Sequence, residues 1–289
     1  MKGQQALQHT LLVKVLVDNG DNLRETVEKP STPCSQYDLS QLWQLRRPTG
    51  YLLNGSWNFR NCVGIQQKKY NKCLMDKRLY MIGDSTIRYW FSSIVKRFEC
   101  SLTTEKWQTK YWHKMTECYN KKLNFKAGWY PHAQPFYVGG SWENIRYTSY
   151  STSRLIDNIP KNERAIIVIH LFVHFIAFHH SVFKQRMVII RLSIERLFLR
   201  NKNAIVMIKG PHTFTQSSAN VVRLCDYFGF LYSKIMYEVF DGLFDRIVLL
   251  NNKDITIAMH NKYIHPREDI VNYMVDQMLN FACVNEVDW

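Results

Sequence analysis

Glycine and proline are scarce, 12 and 8 of 289 residues, which argues against a collagen-like or low-complexity chain. Acidic residues are outnumbered, 24 Asp and Glu against 38 Lys and Arg, giving a net charge of +14 and a pI near 9.4. The longest apolar run, Ala165–Phe178, carries His170 and His174 and falls short of the roughly 20 residues a bilayer span needs, so no transmembrane segment is expected. The cysteines form no CxxC pair and no Cys/His cluster with zinc-finger spacing, which argues against a structural zinc site. No internal repeat is present.

What is present suits a folded chain. Hydrophobic residues make up 46% and charged residues 21%, enough for one large domain, or one domain with a small appendage, and too apolar for global disorder. Aromatics reach 14%, a residue class found in carbohydrate sites and, more often, in cores. The basic excess is uneven: residues 66–126 hold 14 Lys/Arg against 5 Asp/Glu, a net 14 − 5 = +9. Such a surface suits nucleic acid, a sulfated or sialylated glycan, an anionic membrane, or plain solvent. Tyr70, Trp107, Tyr111 and Trp112 interleave the run as on a single-strand nucleic-acid platform, but no nucleic-acid motif accompanies them. A solvated face or glycan rim is the preferred reading, and nucleic acid is not an expected partner.

Five of the seven cysteines (Cys34, Cys62, Cys73, Cys100, Cys118, with Cys225 and Cys283 later) lie between 34 and 118. That clustering suits disulfides in a secretory protein with one thiol left over, while seven reduced cytosolic thiols remain the alternative. Asn54-Gly55-Ser56 is one glycosylation sequon, with Asn54 as its acceptor. The first residues are not a signal peptide, because Leu11–Val17 is short, is broken by Lys14 and lacks a small-residue cleavage site. A secretory reading therefore implies a start that is truncated relative to the whole protein.

Thr10–Val17 is strand-like, and Lys29-Pro30-Ser31-Thr32-Pro33 reads as a linker. Residues 35–76 are mixed. From Lys77 the pattern alternates. A strand at Arg78–Ile82 ends in Gly83-Asp84-Ser85. A helix at Thr86–Phe98 faces inward with Ile87, Trp90, Phe91, Ile94, Val95 and Phe98. After a loop-rich, aromatic stretch at 99–160 come a strand at Ala165–Phe172, a helix at Ser181–Arg200, a strand at Ala204–Lys209, a helix at Ala219–Phe240, a strand at Ile247–Leu250 and a helix at Arg267–Phe281. This alternation predicts an α/β fold, a mostly parallel sheet with helices on both faces.

Ligands of such sheets sit at the carboxyl ends of the strands. Ser85 lies there, opening a helix whose unpaired N–H groups and dipole favour developing negative charge. A nucleophilic serine also needs a base. On position alone, the reading of Asp84 or Ser85 as a simple helix cap is the stronger one. His265, in Tyr263-Ile264-His265-Pro266, falls after the last strand and before the last helix, on the same rim. Pro266 fits a helix first turn.

Gly83-Asp84-Ser85 and His265 resemble the first and last blocks of the SGNH hydrolase superfamily. The six residues Gly83-Asp84-Ser85-Thr86-Ile87-Arg88 resemble its PC-esterase branch. Thr49-Gly50-Tyr51, Asn54-Gly55-Ser56-Trp57, Tyr80–Trp90, Arg196-Leu197-Phe198-Leu199-Arg200 and Asp254-Ile255-Thr256-Ile257-Ala258 resemble the neurexophilin and PC-esterase domain (NXPE) family over residues 45 to 284. The resemblance implies an SGNH-like three-layer domain at 45–289. Residues 1–44 would hold a linker or the end of an immunoglobulin-like neurexophilin region. It also implies a secretory location, the Golgi lumen or outside the cell.

The implied chemistry is acyl transfer to, or removal from, glycan hydroxyls such as those of sialic acid. Ser85 would be the nucleophile and His265 the general base, with Asp84 and Arg88 contacting substrate or supporting the serine turn. No bound cofactor is implied. Acetyl-CoA could serve as acyl donor, and an anionic glycan or glycoprotein would be the partner.

The chain departs from that pattern. The superfamily has an Asp three residues before its His, where this chain has Lys262, leaving Asp254 as a candidate substitute. Relatives tend to show Gly-Gln-His after the strand at 165–172, where this chain reads Phe172-Val173-His174. Where they have His-Gly-His-Pro-Phe, it reads His132-Ala133-Gln134-Pro135-Phe136. Glycine and amide positions supply oxyanion donors, so His174 is a candidate oxyanion or orienting residue. His170 reads as a hydrogen-bonded core histidine. On a strand His170 and His174 stand too far apart to share an ion, and no carboxylate is interleaved, so no metal is expected. The competing expectation is a catalytically degenerate module that binds a glycan or a protein.

Overall fold

The computed structural model describes residues 30–44, 48–103, 115–132, 151–215 and 219–283. The strand expected at Thr10–Val17 and the aromatics Trp107, Tyr111 and Trp112 lie outside them, as do Ala133–Phe136.

A hairpin of β1 (Gly50–Leu53) and β2 (Ser56–Phe59) comes first, then α1 (Tyr70–Leu74). The body follows as β3 (Arg78–Gly83), α2 (Ser85–Arg97), β4 (Ser101–Leu102), β5 (Thr116–Asn120), β6 (Phe125–Pro131), α3 (Thr152–Asp157) and β7 (Ala165–His170). It continues with α4 (His180–Arg200), β8 (Ile205–Lys209), α5 (Ala219–Val239), β9 (Ile247–Leu250), α6 (Lys253–Ala258) and α7 (Glu268–Ala282).

Seven strands form one sheet in the order β4-β5-β6-β3-β7-β8-β9. The run from β6 to β9 is parallel, and β4 and β5 are antiparallel additions. Every residue of β7 is buried, as a strand covered on both faces requires. The chain moves from β7 to β9 in one direction and from β3 to β6 in the other. Right-handed crossovers therefore place α4 and α5 on one face and α2 on the opposite one, where it packs against α7. This is the three-layer α/β architecture expected.

The inward faces read from the sequence hold. Ile87, Trp90, Phe91, Ile94 and Phe98 are buried around α2, and so are Phe183, Met187, Ile190, Ile194, Leu197 and Phe198 on α4. The β5–β6 hairpin was not legible, because Phe125–Pro131 carries Gly128 and ends in proline while Thr116–Asn120 is polar. The last helix begins at Glu268, so Pro266 precedes it rather than occupying its first turn.

The segment before residue 45, read as a linker or remnant, is knitted to the domain among its described residues. Cys34 is bonded to Cys62, and Pro33 forms a bridge with Val63. Trp43 is buried, stacks on Phe244 and donates its indole N–H to the Ile247 carbonyl, covering the β9 edge of the sheet. Further disulfides join Cys73 to Cys283 and Cys100 to Cys118. These bonds pair six of the seven cysteines. The disulfides fit a protein of the secretory pathway. Among the described residues no helix is long and apolar enough to cross a membrane.

Candidate active site

The switch in strand order at β3, with β6 on one side and β7 on the other, opens a crevice at the carboxyl ends. Gly83 ends β3 at φ +156°, and a Cβ there would sit 2.1 Å from the His170 carbonyl oxygen, so no larger residue fits. The next residue, Asp84, caps α2: its Oδ1 accepts from the Thr86 backbone N–H at 2.9 Å and from the Thr86 hydroxyl at 2.6 Å. Ser85 thereby becomes the first residue of the helix, half-buried, with its hydroxyl on the rim.

Its partner is His265. Ser85 Oγ lies 2.7 Å from His265 Nε2, although 180 residues separate them. The imidazole stacks on Tyr89 with centroids 4.9 Å apart and planes 17° apart, which restrains its rotation. Burial and the nearby Arg88 guanidinium push the imidazole below its usual value, with Asp84 opposing and His174 assisting. His265 therefore stays neutral, and able to take a proton, into mildly acidic solution.

Arg88, one turn beyond Ser85, sits half-buried with its guanidinium 5.5 Å from the Trp129 ring and 5.7 Å from that of Tyr89. His174 enters the site from the turn after β7, its Nδ1 2.9 Å from His132 Nε2. A charge on its ring would lower both the Asp84 carboxyl and the His265 imidazole. Phe172 is fully buried and edges onto Tyr232, so it belongs to the core.

Two expectations are corrected. Asp84 is buried and engaged by Thr86, so it caps the helix and does not face substrate. Asp254 is held on the hairpin side, accepting from the Thr49 backbone N–H at 2.5 Å, the Thr49 hydroxyl at 2.7 Å and the Ile255 N–H at 2.9 Å. Its carboxyl is raised by burial against those bonds. Asp84 opposes the fall of the His265 imidazole, while Asp254 is engaged by Thr49 and Ile255. Lys262 is exposed, and among the described residues nothing bonds to His265 Nδ1. Among the described residues the arrangement is a serine hydroxyl against a histidine, with no carboxylate bonded to the ring. Asn54 lies exposed at the tip of the β1–β2 hairpin, where Asn54 and Gly55 take φ +50° and +73°.

A second cluster lies behind the pair. Lys209, at the end of β8, is 2% exposed, with its Nζ 3.2 Å from His170 Nε2 and 3.3 Å from His212 Nδ1. Burial pulls its ammonium down to about 7, with Asp84 opposing. Burial and Lys209 bring His170 to about 3 despite Asp84, and hold His212 well below the ordinary range with help from His170. Both rings are neutral near pH 7, so the positive charge facing Asp84 is that of Lys209 in its protonated form. That carboxyl, which burial alone would raise, is held below the usual carboxylate range by its surroundings and its Thr86 bonds. His170 is the core histidine expected. Lys209 and His212 were not anticipated; the available signal was their position, each after a parallel strand. Among the described residues no group of three His, Cys, Asp or Glu could hold a metal ion.

The sequence matches the NXPE family member 4-like, C-terminal domain over residues 57–283. The chain belongs to the NXPE family. A solved structure assigned as a GDSL-like lipase from Parabacteroides merdae aligns with a TM-score of 0.43 and 9% identity, covering 72% of this chain and 97% of that one. In this NXPE-family domain the resemblance noted at Gly83–Arg88 and His265 coincides with a rim where a hydroxyl and an imidazole from distant segments meet.

Proposed function

We propose that this NXPE domain transfers acyl groups, acetyl foremost, to glycan hydroxyls in the secretory pathway, or removes them. Ser85 is the nucleophile and His265 the base. The observation that carries this reading is the 2.7 Å contact between Ser85 Oγ and His265 Nε2 at a helix N-terminus. As Oγ attacks the carbonyl of a thioester such as acetyl-CoA, His265 Nε2 takes its proton. The developing oxyanion faces the start of α2, where unpaired N–H groups favour negative charge. Collapse expels the thiolate, which takes the proton from His265, and leaves acyl-Ser85. A sugar hydroxyl then gives its proton to His265 and attacks the acyl carbon, and as the acyl–oxygen bond breaks His265 returns that proton to Ser85 Oγ. Water in its place gives hydrolysis.

Arg88 and the basic excess of the chain support an anionic acceptor, such as a sialylated glycan. The three disulfides support the Golgi lumen or the cell exterior as the domain's location. Incubation with acetyl-CoA or an acetyl ester and a sialylated acceptor, followed by mass spectrometry, tests the reading. An acyl-Ser85 adduct and modified acceptor are expected. A wild-type protein with no turnover on either donor class would overturn it.

A second reading is a non-catalytic binding module for a glycan or protein. Its support is specific: Lys262 stands at the acid position and buried Phe172 at an oxyanion position. An inert protein that still binds its partner, with binding unchanged by Ser85→Ala, is the outcome expected on that reading.

A further inference from the structure

We propose that His212 and Lys209 form a buried strut that positions the His265 ring, at which no carboxylate among the described residues meets Nδ1. The inference rests on the reading of Ser85 and His265 as the reacting pair. Its tests are chosen to separate the two.

Hydrogen-bond chemistry fixes the strut. His212 Nε2 lies 2.8 Å from the carbonyl oxygen of Ile264, the residue before His265. A carbonyl only accepts, so Nε2 carries the hydrogen and Nδ1 presents a lone pair. That lone pair faces Lys209 Nζ at 3.3 Å. On the other side, His170 Nδ1 lies 3.0 Å from the Lys209 carbonyl, so its lone pair is on Nε2 and faces the same Nζ at 3.2 Å. The Gly210 carbonyl stands at 3.5 Å. Three acceptors surround one nitrogen, and only an ammonium carries three hydrogens to serve them.

The countercharge is Asp84, whose Oδ2 is buried, 3.8 Å from His170 Nε2 and without a hydrogen-bond partner. Asp84 immediately precedes the nucleophile. The chain of contacts thus runs from the residue before Ser85, through His170, Lys209 and His212, to the residue before His265. The same two segments are stitched again where Asn261 Nδ2 donates to the Thr213 carbonyl at 2.7 Å and to that of Tyr263 at 2.9 Å. A carboxylate on Nδ1 would orient the ring directly; here the backbone is held and Tyr89 limits the ring.

Three measurements on the full chain test this. Nitrogen-15 NMR of the imidazoles should show His212 as the neutral Nε2–H tautomer and His170 as the neutral Nδ1–H tautomer at pH 7. A charged His212, or the opposite tautomer, overturns the strut without reference to any reaction. Second, a fluorophosphonate probe should phosphonylate Ser85 Oγ, with fluoride leaving and His265 taking the proton. His212→Leu should slow this labelling about tenfold or more, because small displacements of a reacting group cost up to about 10²-fold.

His212→Gln keeps a donor for Ile264 and an acceptor for Lys209, and should restore most of the rate. Equal labelling in wild type and His212→Leu, or no rescue by glutamine, contradicts the proposal. If wild-type Ser85 is not labelled at all, the nucleophile reading falls. The strut is then decided by the tautomers and by His265, whose NMR titration should move back toward the ordinary imidazole value in His212→Leu. An unmoved titration overturns it.

Discussion

Ser85 Oγ and His265 Nε2 meet at 2.7 Å across the carboxyl edge of the sheet, and the imidazole of that pair is held below its usual value by burial and by Arg88. A general base works when deprotonated, so a lowered value extends activity to lower pH. The acid limb of the kcat/KM profile is expected below the ordinary imidazole value of 6.5. Arg88→Gln removes the cation that depresses His265 and should shift that limb upward. A limb at or above 6.5 in wild type, or one unmoved by Arg88→Gln, contradicts this electrostatic account.

Asp254→Asn separates a dyad from a triad. An amide oxygen still accepts from Thr49, so the hairpin anchor survives, and His265 loses nothing it touches. Activity is expected to stay within about threefold of wild type. A true triad carboxylate would cost about 10⁴-fold on amidation, and a loss of that order would restore Asp254 to the catalytic group.

Gly83→Ala places a methyl 2.1 Å from the His170 carbonyl oxygen, at the junction that seats Ser85. Overpacking of this kind costs about 1–3 kcal/mol, and because the contact is with backbone the cost should fall at the upper end. Chemical denaturation reads it. A variant within about 0.5 kcal/mol of wild type would show that the junction yields.

The disulfides should differ in weight. Cys73–Cys283 spans 210 residues and Cys100–Cys118 spans 18. Loop-closure entropy then makes the first worth about 2 kcal/mol more than the second. Paired Cys→Ser variants compared by thermal unfolding check the order. The reverse order would place the stabilisation in native contacts instead.

Much of this architecture was legible because apolar periodicity reports burial directly. Ala165–His170 and the inward stripe of α4 follow from their residues alone. Ser85 and His265 were legible because position after a strand and before a helix fixes the rim they occupy. The β5–β6 hairpin was hidden by Gly128 and Pro131, which read as loop signals. The linker reading of residues 29–33 missed that Cys34 and Trp43 tie the following segment down, since pairing and long-range burial leave no local trace. Asp254 was chosen by its residue type, but a carboxylate's role depends on which donors reach it, and Thr49, 205 residues away, reaches it first. Lys209 and His212 escaped notice because a lysine at a strand end ordinarily faces water.

The most direct measurement is the rate of covalent Ser85 modification by a fluorophosphonate or an acetyl donor, in wild type, Ser85→Ala and His265→Ala, with adducts mapped by mass spectrometry. The account predicts an adduct on Ser85 alone, none there in Ser85→Ala, and a rate lowered about 10²–10⁴-fold in His265→Ala while the fold is retained. An unmodified Ser85 in the wild-type protein, or a rate indifferent to His265, would contradict it.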